Sequence, residues 1–324
     1  FYMKKKILLT IASLVGVFII SLPITRYRLE EKVNPVSIAA SVTELDSYLA
    51  NSESKLGNIV EGAEKKIFWA NGKQEQTEYS VVYLHGYSAS RPEMVPLPDL
   101  VAKDLKANIF YTRLTGHAQT LDAFSQASAN DWLSDTVEAL EIGKKIGKKV
   151  IIIGSSTGCT LAVWLASKEQ YQKDITALIF ISPNFYTNSK MTKMFLYPAG
   201  VGFAKLVYGK ERYWEPHNEK VAKYWTHRYR WEALTPLMTL IEYVQDIPLE
   251  KITVPSLYLY TEQDKVVDPD EIVKKFALLG SKQKKLRNLS QVKDHVMAGD
   301  IRAPENTPLL HTEIIGFLNE IGIK

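Results

Sequence analysis

The segment Gly154-Ser155-Ser156-Thr157-Gly158 is where residue types and spacing point most directly to chemistry. It follows the apolar run Val150 to Ile153 and leads into a helical pattern from Thr157 to Ser167. A strand that passes into a helix this abruptly must turn sharply and push the central side chain outward. Glycine on either side removes the Cβ atoms that would clash. Ser156 is therefore a candidate nucleophile. A serine hydroxyl is hardly ionised at neutral pH, so it needs an adjacent base. At a helix N-terminus the Thr157 N–H can face a developing oxyanion. A second donor is expected from an earlier strand-end loop. His85-Gly86-Tyr87-Ser88-Ala89-Ser90 follows the apolar strand Val81 to Leu84 and offers the Tyr87 N–H. The five-residue match alone is weak, and its strand-and-helix context is what sets it apart from a structural turn.

The elements that would position these groups are legible as alternating short apolar strands and helical patterns. Ile67 to Trp69, the Asn71-Gly72 turn and Tyr79 to Leu84 read as a hairpin followed by a buried strand. Asn108 to Thr112 is a strand. Asp131 to Ile146 is a helix with Leu133, Val137 and Leu140 on one face and Asn130 as its cap. Ile175 to Ile181 is a strand. Pro255 to Tyr260, Asp268 to Leu279, Lys285 to Leu289 and Pro308 to Ile321 complete strand, helix, strand, helix. This alternation implies a mostly parallel sheet covered on both faces. Between residues 184 and 250 it breaks, in a stretch holding 13 of the 34 aromatic residues. A structureless loop of that length is improbable, so the stretch reads as a helical cap over something apolar.

Five motifs in order, H-G-Y-S-A-S, R-L-T-G-H, G-S-S-T-G, Y-T-E-Q-D-K-V-V-D-P and D-H-V-M-A-G-D, resemble the α/β-hydrolase superfamily. Within it the chain is most similar to the carboxylesterase and monoacylglycerol-lipase-like (serine aminopeptidase S33-type) branch, from about Ile67 to the C-terminus. The resemblance implies a nucleophile, then an acid, then a histidine, which falls on Ser156, Asp264 and His295, with the oxyanion hole on Tyr87 and Thr157. Asp268 precedes Pro269 and reads as the start of the next helix, and Asp270 is the other neighbouring carboxylate. Of the remaining histidines, His85 and His117 belong to strand-end loops, His217 and His227 to the insert and His311 to the last helix. By the family pattern His85 shapes the oxyanion loop. Asp294, beside His295, reads as loop structure. One departure is Gly116-His117-Ala118, where the branch commonly has G-H-G. The lone Cys159 follows the elbow and reads as a core residue.

The chain has 324 residues, 46% hydrophobic and 23% charged, with a net charge of +4. This composition excludes disorder, collagen and a multi-span membrane protein. The lysines are scattered and not interleaved with aromatics, so no nucleic-acid partner is expected. No metal cluster or dinucleotide glycine pattern is present, so no cofactor is implied. Lys4 to Lys6 precede an uncharged run from Ile7 to Ile24, followed by Arg26 and Arg28. Eighteen residues reach roughly 27 Å as a helix, just enough for a bilayer core. With no small-x-small cleavage pattern at its exit, the run is expected to be an uncleaved membrane anchor with the catalytic domain extracytoplasmic. The alternative is a cleaved signal and secretion. The expected division is 1–24 anchor or signal, 25–66 spacer with a break at Asn34-Pro35 and a Ser41-to-Glu44 helix cap, 67–183 first core part, 184–250 cap and 251–324 second core part. The expected function is a serine hydrolase cleaving small-molecule carboxylic esters, short-to-medium acyl or monoacylglycerol-like. An amidase, peptidase or acyltransferase with the same triad is the alternative, and a silent membrane-anchored binding domain is the reading from another class. Oligomeric state is open.

Overall fold

The computed structural model describes residues 26–33 and 36–324. The run Ile7 to Ile24 and the Asn34-Pro35 break lie outside the described residues. Among those described, no helix is long and apolar enough to cross a membrane.

Seven strands form the main sheet: β1 (Lys66–Phe68), β2 (Thr77–Leu84), β3 (Asn108–Tyr111), β4 (Gly147–Ser155), β5 (Ile175–Ile181), β8 (Ser256–Tyr260) and β9 (Lys284–Asn288). Two more, β6 (Glu211–Tyr213) and β7 (Arg228–Arg230), pair antiparallel within the cap. The main-sheet order is β1-β3-β2-β4-β5-β8-β9, parallel throughout except β1. The helices are α1 (Leu45–Ser54), α2 (Leu97–Asp104), α3 (Leu121–Gln126), α4 (Ala129–Ile146), α5 (Thr157–Ala166), α6 (Glu169–Gln172), α7 (Pro198–Tyr208), α8 (Glu219–Tyr224), α9 (Leu234–Gln245), α10 (Pro269–Leu278) and α11 (Thr307–Glu320). Apolar residues pointing alternately up and down each strand need cover on both faces. Val82, Leu84, Val150 and Ile152 pack with α4, α5 and α9, whereas Val81, Tyr83, Ile151 and Ile153 pack with α2 and α11. This is the expected α/β-hydrolase arrangement, and it brings the C-terminal ends of β2, β4, β5 and β8 to one edge.

Three local expectations are corrected. β1 does not form a hairpin with β2; it pairs antiparallel with β3, Lys66 opposite Tyr111. β2 already has β3 and β4 as parallel neighbours, so it has no free edge for β1. Helix α4 starts two residues earlier, capped by Ser128 in a box with Asp131. Asn130 is inside it and binds the amino-terminal arm, its side chain accepting from Lys32 N–H and donating to Glu30 C=O. The cap is not wholly helical, because β6 and β7 form a ribbon between α7 and α9.

Much of the expected spacer is packed onto the body. Ser41 and Glu44 make their capping box, and Leu45 and Leu49 of α1 are fully buried. Beside them Arg113 forks onto Glu53, its Nε and Nη2 donating to the two carboxylate oxygens at 2.9 and 2.8 Å. Its Nη1 donates to the carbonyl of His117. Burial pushes the Glu53 carboxyl up, but the Arg113 hydrogen bonds and charge outweigh it and hold the group below its ordinary value. Removing one partner of a buried pair leaves the other charge uncompensated, at a cost of about 3–5 kcal/mol. Arg113→Met and Glu53→Ala are each expected to lower urea-unfolding stability at neutral pH by that amount, and the double variant by less than the sum. A loss under about 1 kcal/mol would show the pair to behave as a surface one.

Candidate active site

The turn from β4 into α5 is dictated by contacts that only glycine permits. A Cβ on Gly158 would lie 2.0 Å from the carbonyl oxygen of Leu84, at the end of β2. A Cβ on Gly154 would lie 2.8 Å from the Cys159 nitrogen. Between them Ser156 is forced to φ 50°, ψ −111°, a region that non-glycine residues seldom occupy. The surrounding backbone holds it there. Ser156 N–H donates to Ile181 C=O at 2.9 Å, and Asn184 N–H donates to Ser156 C=O at 3.2 Å. The side chain comes out against the Gly86 loop, where a Cβ on Gly86 would stand 3.3 Å from that of Ser156.

His295 and Asp264 meet at the same edge. His295 Nδ1 lies 2.7 Å from Asp264 Oδ2. The other carboxylate oxygen, Oδ1, accepts the N–H groups of Val266 and Val267 at 2.7 and 3.0 Å. Burial acts to raise the Asp264 pKa; the His295 hydrogen bond and charge and the two N–H groups more than offset it and keep the carboxyl ionised. The loops carrying the two residues are tied together by Thr261 Oγ1, which donates to Val292 C=O. Ser182 Oγ donates to the carbonyl of His295 at 2.8 Å. Ile181 and Ser182, consecutive at the end of β5, thus hold the backbones of Ser156 and His295.

The rival residues are occupied elsewhere. Asp268 caps α10, Asp270 is exposed, and Asp294 pairs with Arg302. His311 pairs with Asp104 near the opposite edge of the sheet. His217 is exposed on the cap, and His227 packs between Tyr213 and Trp214. Cys159 is fully buried, its thiol donating to Gly154 C=O, and burial pushes its pKa well up.

Under the Gly86 loop lies machinery that sequence reading missed. Glu93 is buried beneath it, one oxygen accepting the Gly86 N–H at 2.8 Å and the Tyr83 hydroxyl at 2.7 Å. Burial raises its pKa even though both hydrogen bonds pull the other way. Nothing local marks Glu93, since its partners come from β2 and the loop after it. Ser182 and Asn188, whose side chain donates to Asp264 C=O, were missed for the same reason. Tyr87 inserts its ring among His117, Phe124, Trp132 and Tyr229, and its hydroxyl donates to Ala233 C=O. Thr157 is the first residue of α5, so its N–H belongs to the helix's unpaired first turn. The arrangement offers an elbow serine, an imidazole backed by a carboxylate, and a glycine-bearing loop against the serine.

His85 accepts the Leu114 N–H on Nε2 at 3.0 Å, which leaves Nδ1 to donate to Gly86 C=O at 2.9 Å. Both nitrogens are satisfied only in the neutral ring. Burial lowers its pKa from 6.5 to about 4. His117, 5.0 Å away between ring centroids, is held well below its ordinary value mainly by burial. Above pH 6.5 neither folded nor unfolded chain binds the His85 proton. As pH falls through 6.5 the unfolded chain takes it up first, so stability is lost until the folded ring titrates near 4. That gap is worth about 3 kcal/mol. Urea-unfolding stability is expected to fall between pH 7 and pH 4, and more shallowly in His85→Gln, which keeps an acceptor for Leu114 N–H. Identical slopes would show that His85 takes up its proton as readily in the folded as in the unfolded chain.

The family described as "Serine aminopeptidase, S33" matches residues 76–297, more than two thirds of the chain. Among solved structures, one reported for LipS and LipT, two metagenome-derived lipolytic enzymes, has a TM-score of 0.67 at 20% identity, covering 81% of this chain and 100% of that one. A monoacylglycerol lipase from Paleococcus ferrophilus has 0.59 at 15% identity, covering 79% and 98%. A soluble variant of monoglyceride lipase from Saccharomyces cerevisiae, in complex with a substrate analogue, has 0.59 at 13%, covering 80% and 92%. At such identities the likeness speaks for the fold. No curated protein matches the chain significantly.

Proposed function

Because the chain belongs to the serine aminopeptidase, S33, family of α/β-hydrolases, we propose that it is a serine hydrolase cleaving carboxylic esters through an acyl-enzyme. The observation that carries this reading is the His295–Asp264 hydrogen bond of 2.7 Å, at the sheet edge where the strained Ser156 is presented. In the proposed mechanism His295 takes the proton of Ser156 as the hydroxyl attacks the ester carbonyl. Asp264 holds the imidazole with its proton on Nδ1 and stabilises the imidazolium. The Tyr87 and Thr157 N–H groups stabilise the oxyanion. The alcohol leaves with the proton from His295, and the same base then activates water to release the acid. This route draws on the chain's own side chains and backbone.

A peptidase reading follows from the family's name, but two features favour esters. An aminopeptidase must hold the substrate's ammonium group with a carboxylate or similar acceptor. Asp264 is taken up by His295, Val266 and Val267, and Glu93 by Gly86 and Tyr83. The lipolytic enzymes among the structural neighbours support the same choice. The uncharged run Ile7 to Ile24 supports a single membrane span, which would hold the site near lipid, where monoacylglycerol-like esters concentrate, and the signal-like start of the chain favours an extracytoplasmic hydrolase domain.

Ser156→Ala and His295→Ala are each expected to lower turnover of p-nitrophenyl esters at least about 10⁴-fold, because triad members act as a unit. A fluorophosphonate probe should label the wild type and not Ser156→Ala; labelling that survives would assign the nucleophile elsewhere. Across an acyl series each added methylene should raise kcat/KM up to about fourfold, from about 0.8 kcal/mol per buried CH₂, until the pocket is full between butyryl and octanoyl. Peptide cleavage that outruns ester cleavage would overturn the ester reading in favour of the peptidase.

A further inference from the structure

Glu93 is a buried carboxyl group that the mechanism above leaves unused. It ends the single helical turn Arg91–Glu93 after the Gly86 loop and is 3% exposed. Its Oε2 accepts from both Gly86 N–H and the Tyr83 hydroxyl, as suits an ionised group. A carboxylate this deeply buried is ordinarily paired with a cation. The groups around this one, Gly86, Tyr83 and the Ser155 hydroxyl, are neutral.

Close packing sets its place among the reacting groups. A Cβ on Gly86 would lie 2.7 Å from Glu93 Oε1 and 3.3 Å from Ser156 Cβ, so the two flank the space where Gly86 lacks a side chain. The loop that carries His295 packs onto the backbone of the same segment. A Cβ on Gly299 would lie 2.6 Å from the Glu93 carbonyl oxygen, and Asp300 N–H donates to Val95 C=O at 2.8 Å. Elbow, glycine loop and histidine loop therefore meet around one carboxylate. The charge of His295 reaches it, pulling the Glu93 carboxyl down against the burial that raises it. The other ionisable groups here are neutral or engaged. Burial pushes Tyr83 of β2 and Cys159 of α5 well up, and it lowers His85, which donates to Gly86 C=O, to about 4. Asp264 holds His295 Nδ1, and Asp294 is turned onto Arg302. The cation that can form beside Glu93 is the imidazolium of His295.

We propose that Glu93 is the second negative charge of this site, a positioning residue that stabilises the His295 imidazolium from behind Ser156 while it fixes the Gly86 peptide. The imidazolium forms as Ser156 gives up its proton, so the attraction is greater in the transition state than in the resting enzyme. The two carboxylates divide the task. Asp264 fixes the ring and its tautomer through a hydrogen bond, and Glu93 acts on the ring by charge. The inference rests on the hydrolase reading above and deepens it.

The test is the pH profile of kcat/KM on p-nitrophenyl butyrate, which reports the ionisation of the free enzyme. Glu93→Gln keeps an acceptor for Gly86 and Tyr83 and removes the charge. His295 then gives up its proton more readily, so the acid limb is expected to move down by about half to one pH unit. The plateau is expected to fall about three- to tenfold, because the same attraction is lost from the imidazolium of the transition state. Glu93→Asp keeps the charge on a shorter side chain, and its limb is expected to stay near that of the wild type. A Glu93→Gln limb that stays in place, or a Glu93→Asp limb displaced as far as that of Gln, overturns the proposal, since the charge then plays no part. In the unmodified protein the Nδ1–H proton resonance of His295 should shift in two steps with pH, one for its own ionisation and one for that of Glu93. A single step overturns the proposal even where a variant fails to fold. Wild-type protein that leaves the ester intact, or Ser156→Ala protein that cleaves it equally well, overturns the hydrolase reading instead.

Discussion

The closeness of α5 to the end of β2 is the constraint on which the rest of the site depends. With the Cβ position of Gly158 2.0 Å from Leu84 C=O, the helix axis can begin nowhere else, and β4 must give way to helix at Ser156. Backbone strain of this kind costs about 1–3 kcal/mol and persists only where the surroundings over-determine it. Here they do. Ser156 is bonded through both its N–H and its C=O to the chain leaving β5, and apolar residues of α5 are fully buried against the sheet. The same approach sets the Gly86 loop beside the serine, because that loop is the direct continuation of β2. The elbow and the loop are thus two outcomes of one packing contact.

What could be read from the sequence was what local patterns encode. The strands β2, β4 and β5 are continuous apolar runs, which only burial on both faces explains, and the glycines around Ser156 mark a close approach wherever it falls. Asp264 and His295 were assigned beside Ser156 by the order that the family resemblance implies, and each of the three does follow a strand. Pairing across the sheet was less accessible. Asn71-Gly72 does form a turn, with Gly72 at φ 66° and its N–H bonded to Trp69 C=O, yet the strand before it crosses to β3. A turn signal fixes a local bend and not the partner beyond it. The ribbon β6–β7 has three residues per strand, too few for a period-two pattern to show.

Buried polar groups were the least legible. Glu93 and Ser182 have meaning only through partners brought in by other strands. A carboxylate in a sequence reads as surface until its neighbours are known. The cap's aromatics show the same limit from the apolar side. Their number pointed to a cap, but not to which rings close it: Phe185, Phe195 and Tyr229 are buried, whereas Phe203, Tyr208 and Tyr213 face outward.

The cap and the loop bearing Tyr87 are joined by three hydrogen bonds: Tyr87 hydroxyl to Ala233 C=O, Thr226 N–H to Ser88 C=O, and Ser90 hydroxyl to Tyr224 C=O. Ser156 is only 6% exposed, set between the Gly86 loop and the chain leaving β5. Helix α9 fixes the Ala233 end of these contacts, because Leu237, Leu240, Ile241 and Val244 are buried in the main core. The start of the cap is pinned at Leu196 by the amino-terminal arm. The stretch between Pro198 and Arg230 is seated as well, through Val201, Ala204 and Tyr229 in one core cluster and Val221 and Trp225 in the other, and two of the three hydrogen bonds, at Thr226 and Tyr224, belong to it. At about 1 kcal/mol each the three add a few kcal/mol to that apolar seating. The loop that carries Tyr87 is thus held from the cap side as well as from β2, of which it is the continuation.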